Sequence, residues 1–187
     1  MSNIFSRRVF TLGALAGAGT LAACGNGVGS QGSATIDARV DATLSEMYRV
    51  YPNTRQLADK SNGMLVMPLV TEAGLGFGGA YGRGALRVED ITVDYYSVTK
   101  ASGGLQIGAQ QYAHVLFFMT EEALTGFRRS PGWAAGADLE YVISDQGENL
   151  NADTTTALAP VIAAVFGQAG LRLGATLEGT KYNRIIP

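Results

Sequence analysis

The residues with the clearest chemical spacing in this chain are glycines. In "TEAGLGFGGAYGRGALRV", Thr71 to Val88, Gly74, Gly76 and Gly79 fit the G-x-G-x-x-G pattern of a dinucleotide-binding loop. There the glycines let backbone N–H groups approach a pyrophosphate where a helix opens. No helical period follows here, only more glycine and then "ALRVEDITV", and no Lys-Ser/Thr pair stands after the last glycine to make a P-loop. The run has a period of two instead. Positions 74, 76, 78, 80, 82 and 84 are Gly, Gly, Gly, Ala, Gly and Gly, alternating with residues such as Leu75, Phe77, Tyr81 and Arg83. An extended strand would show one face almost bare of side chains, open to another backbone, a helix or an acyl chain. Gly104 and Gly108 in "SGGLQIGAQ" repeat the device, as does "GLRLGATLEG" further on. Gly74, Gly76, Gly78, Gly82, Gly84, Gly104 and Gly108 therefore read as close-packing positions in bent or twisted strands.

Catalytic constellations are missing from the sequence. His114, in "YAHVLFFM", is the single histidine and has apolar neighbours, which predicts a buried, hydrogen-bonded ring. With one Cys, one His and no G-x-S-x-G elbow, neither a metal site nor a nucleophilic site can be assembled. Glu89-Asp90 falls at a strand turn and Glu121-Glu122 in the first turn of a helix, where acids stabilise the dipole. The expectation is a protein that is not an enzyme and carries no cofactor.

Chemistry of another kind is written at the N-terminus. Arg7 and Arg8 in "SRRVFTL" precede a short Gly/Ala-rich apolar run, the pattern of a twin-arginine export signal. The run ends in "LAAC", Leu21 to Cys24, and small residues before the chain's only cysteine form a lipobox. Cleavage and acylation at Cys24 follow by resemblance to bacterial lipoproteins. Several acyl chains at ~0.8 kcal/mol per buried methylene would hold the protein to a membrane durably. Gly25 after the cysteine, rather than aspartate, favours the outer membrane, with the domain in the periplasm. The expected organisation is a signal over 1–23, a Gly/Ser-rich tether over 24–34 and one domain over 35–187. Loss of the two signal arginines leaves 12 basic against 16 acidic residues, a net charge of −4 without the footprint of a nucleic-acid binder. No disulfide can form once Cys24 is consumed, so the fold must rest on its core.

The elements that would position these residues follow from periodicity. Ile36, Val40, Leu44, Met47 and Tyr51 mark an amphipathic helix that Pro52 ends, and a shorter helix is expected over Thr54 to Lys60. From Gly63 the period is two. Strands are expected over "GMLVMPLV", where Pro68 implies an edge or bulge, and over Gly74 to Tyr81, Gly84 to Glu89, Thr92 to Val98, Leu105 to Gln110, Ala113 to Met119, Ala137 to Ser144, Val161 to Gly167 and Leu171 to Leu177. Only Thr120 to Arg129 interrupts them, as a helix with Thr120 as N-cap. The fold class is α+β and mainly antiparallel β. A curved sheet or partly closed barrel would carry the N-terminal helix and the central helix packed on it.

Four stretches carry a family resemblance: "NGMLVMPLVTEAGLGFGGAYGRGAL", "YYSVTKASGGLQIGAQ", "FFMTEEALTGFRRSPGW" and "GLRLGATLEGTKYNRI". In this order, from about Leu57 to Ile185, they resemble the SYLF lipid-binding domain in its bacterial exported form. The resemblance implies a β-rich domain with accessory helices that binds phospholipid, anionic lipid foremost. Eukaryotic relatives bind phosphoinositides and some regulate actin, but an exported lipoprotein meets no actin, so no actin partner is expected. No catalytic residue is transferred. Arg83, Arg87, Lys100, Arg128 and Arg129, with Trp133, are the candidates for lipid contact, against a plainer role as surface charge, helix capping or core. Two other readings stay open: an envelope-integrity or scaffold protein that binds protein or glycan, and a periplasmic carrier of a hydrophobic ligand.

Overall fold

The computed structural model describes residues 30–136, 139–142, 159–167, 177 and 179–187. The signal residues Arg7 and Arg8, the lipidation residue Cys24 and the strand expected before Leu177 lie outside them. Helix α1 (Gly32–Val50) and helix α2 (Thr54–Lys60) precede two long strands, β1 (Gly63–Val88) and β2 (Ile91–Phe118). Helix α3 (Glu121–Arg129) follows, then β3 (Trp133–Ala134), β4 (Leu139–Val142), β5 (Val161–Gly167) and β6 (Thr180–Ile185). The fold is α+β with a curved, half-closed sheet, as the pattern predicts. The helix row Ile36, Val40, Leu44 and Met47 is buried, each side chain contributing about 1.5–3 kcal/mol, and α1 stops just before Pro52. Thr120 caps α3 by accepting from the Ala123 amide at 3.2 Å.

The strands differ from the expectation in continuity. Six separate segments are in fact one antiparallel hairpin, paired from Gly63↔Phe118 to Val88↔Ile91. The irregularity expected at Pro68 is a register shift between Met67 and Val70, and the glycine run contains a second, between Leu75 and Phe77, rather than a strand end. Glu89 and Asp90 make the two-residue turn with φ of 49° and 63°, a left-handed geometry that usually takes Asn-Gly. Strand β2 is the spine. Its other edge is shared in turn by β6, opposite 95–100, and by β5, opposite 112–118, while β3 flanks β6 and β4 flanks β5 in parallel. Strand β6 has no counterpart among the expected strands, because "TKYNRI" is short and polar and gains its place by pairing with β2.

A 26-residue strand stretched straight would reach about 85 Å, whereas a domain of this size is about 40 Å across. The hairpin therefore folds over itself. A Cβ placed on Gly82 would lie 2.6 Å from the Leu69 carbonyl oxygen, and one on Gly84 would overlap the Val66 carbonyl outright. The bare face at these glycines is filled by the backbone of the same strand. Two layers result. Leu65, Met67, Leu86, Val98, Leu116 and Phe118 point inward with Phe127 of α3. Their alternating neighbours Met64, Val66, Val115 and Phe117 point outward under α1 and α2.

This close approach makes two glycines respond in opposite directions to the same change. Gly84→Ala drives a methyl group into backbone and costs about 3 kcal/mol or more in urea unfolding. A methyl group added at Gly126 in α3 would meet nothing within 4 Å, so Gly126→Ala raises stability by about 1 kcal/mol. Equal effects at the two positions would contradict the folded-over hairpin.

Candidate functional site

The chain's single histidine stands on β2 in the middle of the domain. His114 is fully buried, and its Nε2 pairs with the Tyr182 hydroxyl of β6 at 2.8 Å. The ring lies between Tyr112 and Tyr182, 6.0 and 5.8 Å from their centroids. Burial lowers its pKa from 6.5 to about 3, so the ring is neutral at ordinary pH. Its Nδ1 and the Thr180 hydroxyl, two residues before Tyr182, have no hydrogen-bond partner among the described residues. A neutral, enclosed histidine offers neither charge to a phosphate nor a path for a substrate. The expected buried, hydrogen-bonded ring is what the structure shows.

Charged groups are organised elsewhere, where α1 meets the turn end of the hairpin. Arg87 donates to Asp41 at 2.6 Å and to the Asp90 carbonyl at 2.7 Å, with Asp37 3.9 Å away. Asp37 in turn accepts from Thr92 and from the Tyr95 hydroxyl, both at 2.7 Å. Burial and this bond to Asp37 raise the pKa of Tyr95. A second cluster joins α3 to the sheet. Asp94 takes Arg128 at 3.2 Å and Arg184 at 3.3 Å, and Arg184 also donates to the Arg128 carbonyl. Arg184 has its own pKa raised, first by the nearby Tyr96 hydroxyl and also by the Asp94 carboxylate.

The six lipid-contact candidates are thus dispersed. Arg87 and Arg128 face acids, the Arg87 side chain being only 12% exposed. Trp133 packs on Phe127 and Tyr182 at 5.5 and 5.7 Å, part of the inner core's rim. Arg129 is exposed at the end of α3. Lys100 pairs in register with Ala80 and Thr180, on the inward side of β2. Arg83 pairs with Ser97 on the outward side, one step from exposed Tyr81, which faces Thr99 and through it exposed Lys181. Lys181, Arg184 and Asp94 were not among the sequence candidates, since nothing in "TKYNRI" marks a strand beside β2. Asp37 and Asp41 could have been read from sequence: each directly follows a residue of the buried row, at the edge of the helix's core face.

Residues 99–184 match the family model described as Ysc84, Las17-binding protein actin regulator. The match over that segment is consistent with the SYLF domain family that the sequence blocks resemble. No curated protein matches the chain.

The enclosed histidine has a consequence for acid stability. Its folded pKa lies below the unfolded value, so the unfolded chain binds the extra proton between about pH 6.5 and 3. Stability is full above pH 6.5 and falls with acidification by about 1.4 kcal/mol per unit. From pH 6.5 to 5 the native protein loses about 2 kcal/mol more than His114→Gln in urea unfolding. Parallel pH profiles for the two proteins would contradict a neutral buried ring.

Proposed function

We propose that this protein is a membrane-anchored lipoprotein of the cell envelope whose SYLF domain binds phospholipid without catalysing a reaction. The observation that carries the reading is the SYLF match over 99–184, in a chain whose N-terminus reads as a twin-arginine signal ending at the lipobox cysteine Cys24. Exported and lipidated, the domain would face the periplasm from the outer membrane. The name of the matching family mentions Las17 and actin; neither partner suits an exported chain, and lipid is the part of the family's chemistry that an envelope supplies.

The arrangement of charge narrows where headgroups would be met. Arg87 and Arg128 are held by Asp41 and Asp94, whereas Arg129 at the end of α3 and Lys181 on β6 are exposed, so these two are the cations offered to an anionic phosphate. A carrier cavity has no room at Gly82 and Gly84, where β1 backbone fills the bare face.

The soluble Cys24→Ala form, beginning at that residue, should co-sediment with anionic vesicles more strongly than with zwitterionic ones. Arg129→Gln and Lys181→Gln should each weaken that binding roughly fivefold, as about 1 kcal/mol per surface cation requires. Equal indifference to both vesicle types would sink the reading; one stoichiometric partner in envelope pull-downs without vesicle binding would favour a scaffold.

A further inference from the structure

Among the described residues, three large hydrophobic side chains gather exposed at one end of the domain. Ile91 is 66% exposed, Val93 38% and Ile186 71%. Ile91 closes the Glu89–Asp90 turn opposite Val88. Val93 lies two residues before Tyr95, and Ile186 directly follows Ile185, the residue that pairs with Tyr95. The register therefore places all three at one end of the sheet, around the start of β2 and the end of β6.

The start of the described chain is fastened to this same end. The Ser30 hydroxyl donates to the Pro187 carbonyl at 2.9 Å. A Cβ on Gly32 would lie 2.7 Å from the Pro187 carbonyl carbon, so the first turn of α1 rests on the residue after Ile186. Asp37, within the next turns of α1, holds Thr92 and Tyr95 between which Val93 stands. From Cys24 to Ser30 there are only six residue steps, which reach at most about 20 Å when fully extended. A bilayer holding Cys24 must lie within that distance of Ser30, and the far end of α1 is about 28 Å away along the helix axis.

The geometry points to the end formed by Ile91, Val93 and Ile186 as the membrane-facing tip of the domain, seated in the headgroup–hydrocarbon boundary of the bilayer that holds Cys24. The tether makes a shallow contact sufficient, since it keeps the tip at high effective concentration over the surface. The tip's charge selects the kind of surface. Glu89 and Asp90 are exposed at the turn, while Asp37, Asp41 and Asp94 are matched by Arg87, Arg128 and Arg184. Two exposed acids beside the aliphatic residues give the tip itself no attraction to anionic headgroups, so its occupant is zwitterionic phospholipid held by apolar contact, and anionic headgroups are left to the cations proposed above, Arg129 on α3 and Lys181 on β6. The inference rests on the lipidation of Cys24 proposed above and not on those cations.

The test uses the lipidated protein reconstituted in phosphatidylcholine vesicles carrying a nitroxide-labelled phosphatidylcholine. Lipidated Cys24 has no thiol, so Ile91→Cys, Val93→Cys and Ile186→Cys can each be labelled singly with a fluorophore, with Asn53→Cys as control at the far end of α1. All four positions border exposed surface, and circular dichroism checks each fold. The expected result is nitroxide quenching at the three tip positions, none at 53, and no change in raised salt. Flotation with the vesicles but no tip quenching, or equal quenching at 53, overturns the orientation and leaves the anchor standing. Failure to float overturns the lipidation on which both readings rest.

Discussion

The approach of β1 to itself is the constraint on which the remaining structure depends. A hairpin far longer than the domain can be housed only if its two halves overlie one another, and the carbonyls of Val66 and Leu69 then occupy the space that side chains at 82 and 84 would need. Everything else is arranged around that overlap. Inward residues from both halves of the hairpin form one core with Phe127, and the opposite face of the same strands becomes the floor for α1. Both faces of the sheet are therefore apolar, which explains why simple alternation of polar and apolar residues fades along "MLVMPLV" and "YAHVLFFM".

Ion pairing adds orientation to this packing. A helix lying across a sheet by a row of Ile, Val, Leu and Met has little to fix its rotation or sliding. Asp37 and Asp41, reaching Thr92, Tyr95 and Arg87, supply direction beside the turn of the hairpin. Asp94 does the same for α3 through Arg128 and Arg184. Exposed pairs of this kind contribute little stability individually. Their effect is on register, and they draw Arg87 and Arg128 into contacts within the domain.

The helices, the capped start of α3, the edge or bulge at Pro68, the Glu89-Asp90 turn and the buried histidine could all be read from sequence, because each has a local physical signature. At Gly82 and Gly84 the period of two marks a bare face that β1 backbone fills. Strand continuity could not be read in this way, since a glycine or proline that bends a paired strand leaves the same trace as one that ends it. Strand β6 and its Arg184 and Lys181 were invisible for a different reason: their place comes from the vacant edge of β2, 80 or more residues earlier in sequence. Charge alone likewise suggested a common role for Arg83, Arg87, Lys100, Arg128, Arg129 and their neighbour Trp133. Pairing at a distance separates them into a clasped arginine, a bridged one, a rim tryptophan and residues on opposite sides of β2.

The hydrogen bond from Ser30 to Pro187 spans 157 positions. During synthesis the first turn of α1 waits for its seat until Pro187 itself has been made, although the buried row of the same helix can settle on β1 and β2 much earlier. Order in this domain thus spreads from the hairpin outward, and the seat of the first turn of α1 is completed after it.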